Sequence, residues 1–206
     1  MIRIAVVDHG AGNLVSIGKA LERCGASVNV ATTLHDLAGA NGVVLPGVGA
    51  TGAAMTSLRG VGLDEALRSW QRPILGICVG MQLLFESSEE DDDDDDACLG
   101  LLPGRVERLR APILPHMGWN DVHHEGDPIF TGIADGTTFY FAHSFAAQPA
   151  APPAEIATTT YGDRFTSAVR NGDRVGVQFH PERSGRVGLR LLANFVSTCE
   201  GGSRAA

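Results

Sequence analysis

The strongest constraint on this chain is the texture of its first 80 residues, where short unbroken apolar runs alternate with stretches of helical periodicity. "IRIAVVD" at 2–8 is a continuous β-branched run, the pattern of a parallel strand buried on both faces. "GAGNLVSIGKALERCG" follows at 10–25, with Leu14, Ile17, Leu21 and Cys24 on one helical face and Gly25 as a stop. "ASVNVA" at 26–31 and "GVVLPG" at 42–47 read as the next strands, separated by a short helical stretch, "TLHDLAGA". "PGVGATGAAMTSLRG" and "LDEALRSWQ" lead to another buried strand, "PILGIC" at 73–78, after which "VGMQLLFESS" starts a helix. Strands that alternate with helices imply right-handed crossovers and a parallel sheet covered on both faces.

The second half changes character. "GRVERL", "GWNDVHH", "TTFYFAHSF" and "AEIATTTYGDRFTSAVRNGDRVGVQFH" predict shorter strands and hairpins, with a turn at "NGD", 171–173. "QPAAPPAE" at 148–155 reads as a loop, and "SGRVGLRLLANFVSTC" closes the chain as an amphipathic helix. The expected fold is α/β: a parallel or mixed sheet flanked by helices, with a smaller antiparallel extension. No repeat or linker divides it, so residues 1–206 are expected to form one domain.

The net charge of −8 comes from one place. Of the 24 acids, nine lie at Glu86, Glu89, Glu90 and Asp91 to Asp96; the remaining 15 face 16 bases. That run repels itself and lacks the glycine and alternation of a calcium loop, so 87–98 is expected to be a solvated, mobile acidic loop. No basic stripe marks a nucleic-acid face. The opening apolar run breaks at Asp8, too early for a signal peptide, and no run reaches the length of a membrane span. The expected compartment is the cytoplasm. Cys24, Cys78, Cys98 and Cys199 are far apart, and the seven histidines form no ligand cluster. His123 and His124 would point to opposite faces of a strand, so no metal site is expected.

One cysteine stands apart. Cys78 sits in "GICVG", where a buried strand gives way to a helix. This is the G-x-nucleophile-x-G form, in which a sharp turn lifts the nucleophile above the carboxyl ends of the strands. Flanking glycines remove Cβ atoms that would clash at the turn, and a helix N-terminus favours thiolate over thiol. Cys24 and Cys199 lie at helical spacing among apolar residues, and Cys98 belongs to the loop; all three read as structural.

A nucleophilic thiol needs a base, and "GVQFHPERSG" offers His180 at the end of a strand, with Pro181 holding it extended. In an extended segment Glu182, at i+2, shares the side of His180 and can orient its imidazole. An oxyanion hole can come from "LPGVGATG" after the third strand, where Gly47 and Gly49 let backbone N–H groups turn toward developing charge.

These pieces, in this order, resemble the class I (triad-type) glutamine amidotransferases. "VVDHGAGNL", "LPGVGA", "GICVGMQLLFESSEE", "LPGRVERL", "PHMGWN", "YFAHSF", "GVQFHPERSG" and "LLANFV" carry the resemblance over nearly the whole chain. The elbow and "HPE" are common to that family. "PHMGWN", "YFAHSF" and "HPERSG" are similar to the glutaminase subunits that feed ammonia to a (β/α)8-barrel cyclase in histidine biosynthesis. The resemblance implies a flavodoxin-like sheet and no cofactor. It implies Cys78 as nucleophile, His180 as general base and acid, and Glu182 as the orienting carboxylate. Val79, with the peptide at Val48 and Gly49, would supply the oxyanion hole. Gly49, Gln82, His143, Ser144 and Phe145 would line the glutamine pocket. Asn13, Pro115, Met117, Trp119 and Arg183 would lie at or near the cyclase, the partner in a heterodimer.

Three positions depart from the family pattern: His9 and Phe145 stand where tyrosine is usual, and Arg183 where lysine is common. None touches the triad, but Arg183 keeps charge with altered geometry. Two other readings share these motifs. A glutaminase subunit of another class I enzyme, such as anthranilate synthase, would keep the triad but should lack "PHMGWN". A silent binding module on the same fold would be expected to have lost a triad member.

Overall fold

The protein is described from a computed structural model that covers residues 1–90, 97–150 and 155–201. Its first half runs β1 (Arg3–Val7), α1 (Leu14–Arg23), β2 (Ser27–Ala31), β3 (Gly42–Gly47), α2 (Thr51–Gly60), α3 (Leu63–Ser69), β4 (Ile74–Cys78) and a single turn, α4 (Val79–Gln82). The second half holds β5 (Ser87–Ser88), β6 (Gly104–Arg108), β7 (His116–His124), β8 (Thr137–His143), β9 (Phe145–Pro149), β10 (Glu155–Tyr161), β11 (Asp163–Asn171), β12 (Arg174–Val177) and α5 (Gly185–Gly201).

The main sheet has nine strands in the order β2-β1-β3-β4-β12-β11-β10-β7-β8. The first five are mutually parallel and the rest join antiparallel. The antiparallel extension therefore continues the parallel sheet, with β12 as the common member. A separate small sheet, β5-β6-β9, pairs β5 parallel and β9 antiparallel to β6.

Every residue of β3 and β4 is buried, as a two-sided strand requires. On α1 the buried face is Ile17, Ala20 and Leu21, and α1 packs on α5, whose Leu191, Leu192 and Phe195 are also buried. Burial of each such Leu, Ile or Phe side chain contributes about 1.5–3 kcal/mol. Asn13 caps α1 by accepting the Ser16 N–H at 3.2 Å, and Gly25, at φ 88°, ends it. Cys199 is fully buried, and a side chain on Gly42 would meet its sulfur at 2.4 Å. Burial pushes the Cys199 thiol up to about 12, so it is an inert packing group.

Away from the end of β12, the structure departs from the expected elements in four places. The helix after Cys78 is one turn; Leu84 and Phe85 then close tighter turns onto Met81 and Gln82. "TTFYFAHSF" is two strands in two sheets, broken at Ser144, because the chain leaves the main sheet there to pair with β6. The segment 148–155 is not all loop: Gln148 and Pro149 pair with β6, and Glu155 opens β10. Residues 151–154 lie outside the described residues, as do 91–96 of the expected acidic loop. The near flank of that loop is held: Ser87–Ser88 is a strand, Glu89 accepts the Arg108 N–H, and Cys98 is buried.

Candidate active site

Cys78 ends β4 at φ 54° and ψ −111°, the only non-glycine residue at positive φ among those described. Such a conformation costs an L-residue about 1–3 kcal/mol and persists only when its surroundings enforce it. They do so by crowding. A Cβ on Gly76 would fall 2.5 Å from the Gly80 carbonyl oxygen, and one on Gly80 would fall 1.7 Å from that of Leu45. The glycines on either side thus let α4 fold back against β3 and β4, which lifts Cys78 onto the sheet's carboxyl edge. With α4 only four residues long, a long helix dipole contributes little here; the unpartnered N–H groups of its first turn are what remain.

His180 reaches the same edge from the neighbouring strand, since β12 pairs parallel with β4. Strand β12 ends at Val177, three residues earlier than expected, and Pro181–Arg183 is a 3-10 turn. Glu182 therefore meets His180 across a turn rather than along an extended strand. Its Oε1 lies 3.0 Å from Nδ1, with both side chains buried. That contact leaves Nε2 for Cys78. Burial opposes the imidazolium, but the charge and hydrogen bond of the Cys78 sulfur, then Glu182, outweigh it and push the His180 pKa up to about 10. The backbone of His180 is tied down as well. Its N–H donates to Tyr140 O at 2.8 Å, and its carbonyl accepts the Ser184 hydroxyl at 2.7 Å.

Cys78 and His180 line one cavity of about 150 Å³ with Val48, Gly49, Val79, Gln82, Glu90, Ala142, His143, Ser144, Phe145 and Arg183. Every residue expected in the triad, oxyanion hole and substrate pocket is therefore on or directly behind this wall. Gly49 holds φ 89° in a loop whose Val48 is 43% exposed. The sheet switch at Ser144 aims three consecutive residues at the cavity. The Phe145 carbonyl accepts from His143 Nδ1 at 2.8 Å and from Gln82 Nε2 at 2.9 Å. Because that role is played by the main chain, phenylalanine in place of tyrosine leaves it intact.

A carbonyl can only accept, so His143 carries its proton on Nδ1 and its Nε2 must accept from His116 Nδ1, 3.0 Å away. His116 Nε2 then takes Asn120 Nδ2 at 3.3 Å. Burial lowers the pKa of His116 to about 4 and that of His143 to about 3. Both are neutral, and their hydrogen bonds run in one direction.

Of the expected interface residues, Met117 and Trp119 project from the same side of β7, 64% and 56% exposed. Trp119 meets the Tyr140 ring edge-on at 6.1 Å, and the Arg183 guanidinium lies 4.1 Å over that ring. A continuous aromatic and cationic patch thus borders the cavity mouth. Pro115 and Asn13 are exposed. The 9–13 segment is anchored to the end of β3, where His9 Nε2 donates to Pro46 O at 2.7 Å.

Three residues escaped the sequence reading. Gln178 contacts Cys78 and Gln82; its place two residues before His180 was the available signal, by the same spacing rule that singled out Glu182. Ser184 anchors His180 from within "HPERSG". Glu90 was absorbed into the acidic run, yet its carboxylate accepts the Thr51 N–H at 2.9 Å and borders the cavity. No cluster of His, Cys, Asp or Glu suited to a metal occurs among the described residues, nor any helix long and apolar enough to cross a membrane.

Residues 5–199 match the class-I glutamine amidotransferase family. A crystal structure of a glutamine amidotransferase superposes with a TM-score of 0.76 at 20% identity, covering 95% of this chain and 98% of that one. PurLQS from Thermotoga maritima gives 0.71 at 20% identity over the same shares. These likenesses fix the fold, and with the family match they make this chain a glutamine amidotransferase of class I. Its relatives include the imidazole glycerol phosphate synthase subunits HisH of Synechococcus sp. (strain JA-3-3Ab), 46% identical over 95% of this chain and 93% of that protein. The HisH subunit of Moorella thermoacetica is 47% identical over 93% of each chain, and that of Mycolicibacterium paratuberculosis 44% identical over 94% and 96%. The chain belongs to this HisH family, subunits of an enzyme of histidine biosynthesis.

Proposed function

We propose that this chain hydrolyses glutamine through Cys78, His180 and Glu182 and passes the ammonia to a (β/α)8-barrel cyclase, HisF. That partner would use it with the phosphoribulosyl intermediate PRFAR to make imidazole glycerol phosphate and AICAR. The observation that carries the reading is the buried Cys78–His180–Glu182 arrangement, with Cys78 and His180 on one cavity wall and Glu182 bonded to His180 behind it.

In this mechanism the Cys78 thiolate attacks the side-chain amide carbon of glutamine, and the carbonyl electron pair moves onto oxygen. The Val79 N–H and the Val48–Gly49 peptide would stabilise that oxyanion. His180 protonates the nitrogen, the C–N bond breaks and ammonia leaves a γ-glutamyl thioester. His180 then takes a proton from water, whose oxygen attacks the thioester; the C–S bond breaks, and glutamate leaves with the thiolate restored. With both Gln82 N–H groups engaged by Phe145 and Gln178, its Oε1 is left to meet substrate. Glu90 on the cavity wall suits the α-ammonium group of an amino acid.

Ammonia released to water near neutral pH would mostly become ammonium, which has no lone pair to attack with. A sealed handover to the partner preserves the nucleophile, and the Met117, Trp119 and Arg183 patch is the surface we assign to it, with Asn13 and Pro115. The cytoplasm is the compartment we assign. Basal turnover is expected to be low and to rise when the cyclase and its ligand complete the oxyanion loop at Val48.

The test is glutamate release by the complex given glutamine and the cyclase ligand, with the amide nitrogen labelled and followed into product. Cys78→Ala should release no glutamate yet still bind the partner. Glutamate release by Cys78→Ala overturns the mechanism; equal turnover with and without the cyclase overturns the activation step alone.

A further inference from the structure

The triad leaves one neighbour of the sulfur unused. Gln178 is fully buried, its backbone N–H bonded to Ser167 O at 2.9 Å and its side-chain amide 3.6 Å from Cys78 Sγ. Which end of that amide faces the sulfur follows from a chain of contacts. The Phe145 carbonyl only accepts, so the Gln82 group 2.9 Å from it is the NH2. The second hydrogen of that NH2 points to Gln178, 3.1 Å away, which must answer with Oε1. Nε2 is then the end that faces Sγ. Reversing Gln178 would oppose two NH2 groups and set an oxygen against the sulfur.

On the reading that Cys78 is the nucleophile, we propose that Gln178 donates its amide N–H to the Cys78 sulfur and holds it as thiolate. The sulfur needs such a donor. A second contact of the sulfur, the Ala142 carbonyl at 3.8 Å, can only take a thiol hydrogen and so favours the unreactive form. His180 supplies a cationic N–H, but that proton is the one delivered to the leaving nitrogen. From that moment Gln178 is the donor that stays. A hydrogen bond to an ionised acceptor is stronger than one to a neutral acceptor, so the N–H also favours return of the electron pair to sulfur when the C–S bond breaks. The titratable and charged groups around the sulfur are His180, Glu182, Arg183 and Glu90, with His143 from β8. Gln178 is the buried neutral donor among them, unaffected by their protonation.

The experiment compares wild type with Gln178→Leu, which removes the donor, and Gln178→Glu, which keeps the shape and presents an acceptor. The rate of Cys78 alkylation by iodoacetamide is followed against pH, with the labelled cysteine located by mass spectrometry. Glutaminase kcat and KM are measured in the complex. Both variants should shift the alkylation midpoint up by about one pH unit, a tenfold loss of thiolate below it. They should lower kcat by about tenfold with KM within about threefold, as for an interaction spent on the reacting sulfur. A residue that merely packs would leave the midpoint where it is. An unshifted midpoint in either folded variant overturns the proposal. Alkylation needs no glutamine, so shifted midpoints in the variants together with a wild type that releases no glutamate would support the donor while overturning the glutaminase reading.

Discussion

The two neutral histidines behind the cavity make a definite demand on stability against pH. His116 lies between the Phe141 and Tyr161 rings, at 4.7 and 4.0 Å and nearly parallel to both, and is 2% exposed. His116→Phe should keep that stack and lose the donor to His143. At pH 7.5 the variant leaves His143 Nε2 buried without a partner, a loss of about 1–3 kcal/mol. The sign then changes with acid. The folded pKa of His116, about 4, lies below the ordinary 6.5. The unfolded chain therefore binds a proton that the folded one refuses, and stability present above pH 6.5 is lost as pH falls toward 4. Each such histidine removes about 1.4 kcal/mol per pH unit in that window. His143 stays in both proteins with burial as the main cause of its low pKa, so His116 supplies the larger part of the difference. By pH 5 it amounts to about 2 kcal/mol in the variant's favour, enough to reverse a deficit of about 1 kcal/mol and to leave only about 1 of a deficit of about 3. Urea denaturation at matched ionic strength between pH 7.5 and 5 measures it. Parallel stability curves for the two proteins would refute the assignment of His116 as a buried neutral base.

Gly80→Ala places a methyl 1.7 Å from the Leu45 carbonyl; backbone cannot yield as a side chain can, so about 3 kcal/mol or more should be lost. Gly49→Ala has open space but φ 89°, so strain of about 1–3 kcal/mol is expected; denaturation midpoints of the pair separate crowding from strain. Trp119→Ala should weaken partner binding by about 30-fold, a loss of about 2 kcal/mol, while the unpartnered chain shifts by under about 1 kcal/mol; calorimetric titration with the cyclase reads the first and thermal melting the second. Glu90→Gln should raise the KM for glutamine about tenfold with kcat little changed if its charge serves binding alone; an unchanged KM removes Glu90 from the substrate wall.

What the sequence could disclose follows from the range over which its signals act. Burial on both faces prints itself on β1, β3 and β4 as unbroken apolar runs, because a parallel strand under helices has no wet side. The elbow is legible in part for the same local reason: Gly76 answers contacts from Gly80 and Met81 within one strand and one turn, whereas Gly80 answers the Leu45 carbonyl of β3. The length of α4 and the break at Ser144 are not local. "VGMQLLF" has a helical pattern, but Leu84 and Phe85 are held by tighter turns, and Leu83 to Phe85 by backbone contacts from residues 99 to 102. His143 and Phe145 read as one strand until β6 competes for the second. The partners of the sulfur lie further still, Ala142 being 64 positions from Cys78 and Gln178 being 100. Spacing could nominate Gln178 by its register with His180, but only the register of β12 on β4, with Val177 opposite Ile77, brings it to Cys78. The surroundings of the Cys78 thiol are therefore a property of strand pairing. Gly76 opposite Gly176 is the rung where Met81 closes over β12, since a side chain on Gly176 would meet Met81 Cγ at 2.6 Å. Gly176→Val should consequently disturb the Gln178–Cys78 contact from two residues away, although it touches neither group.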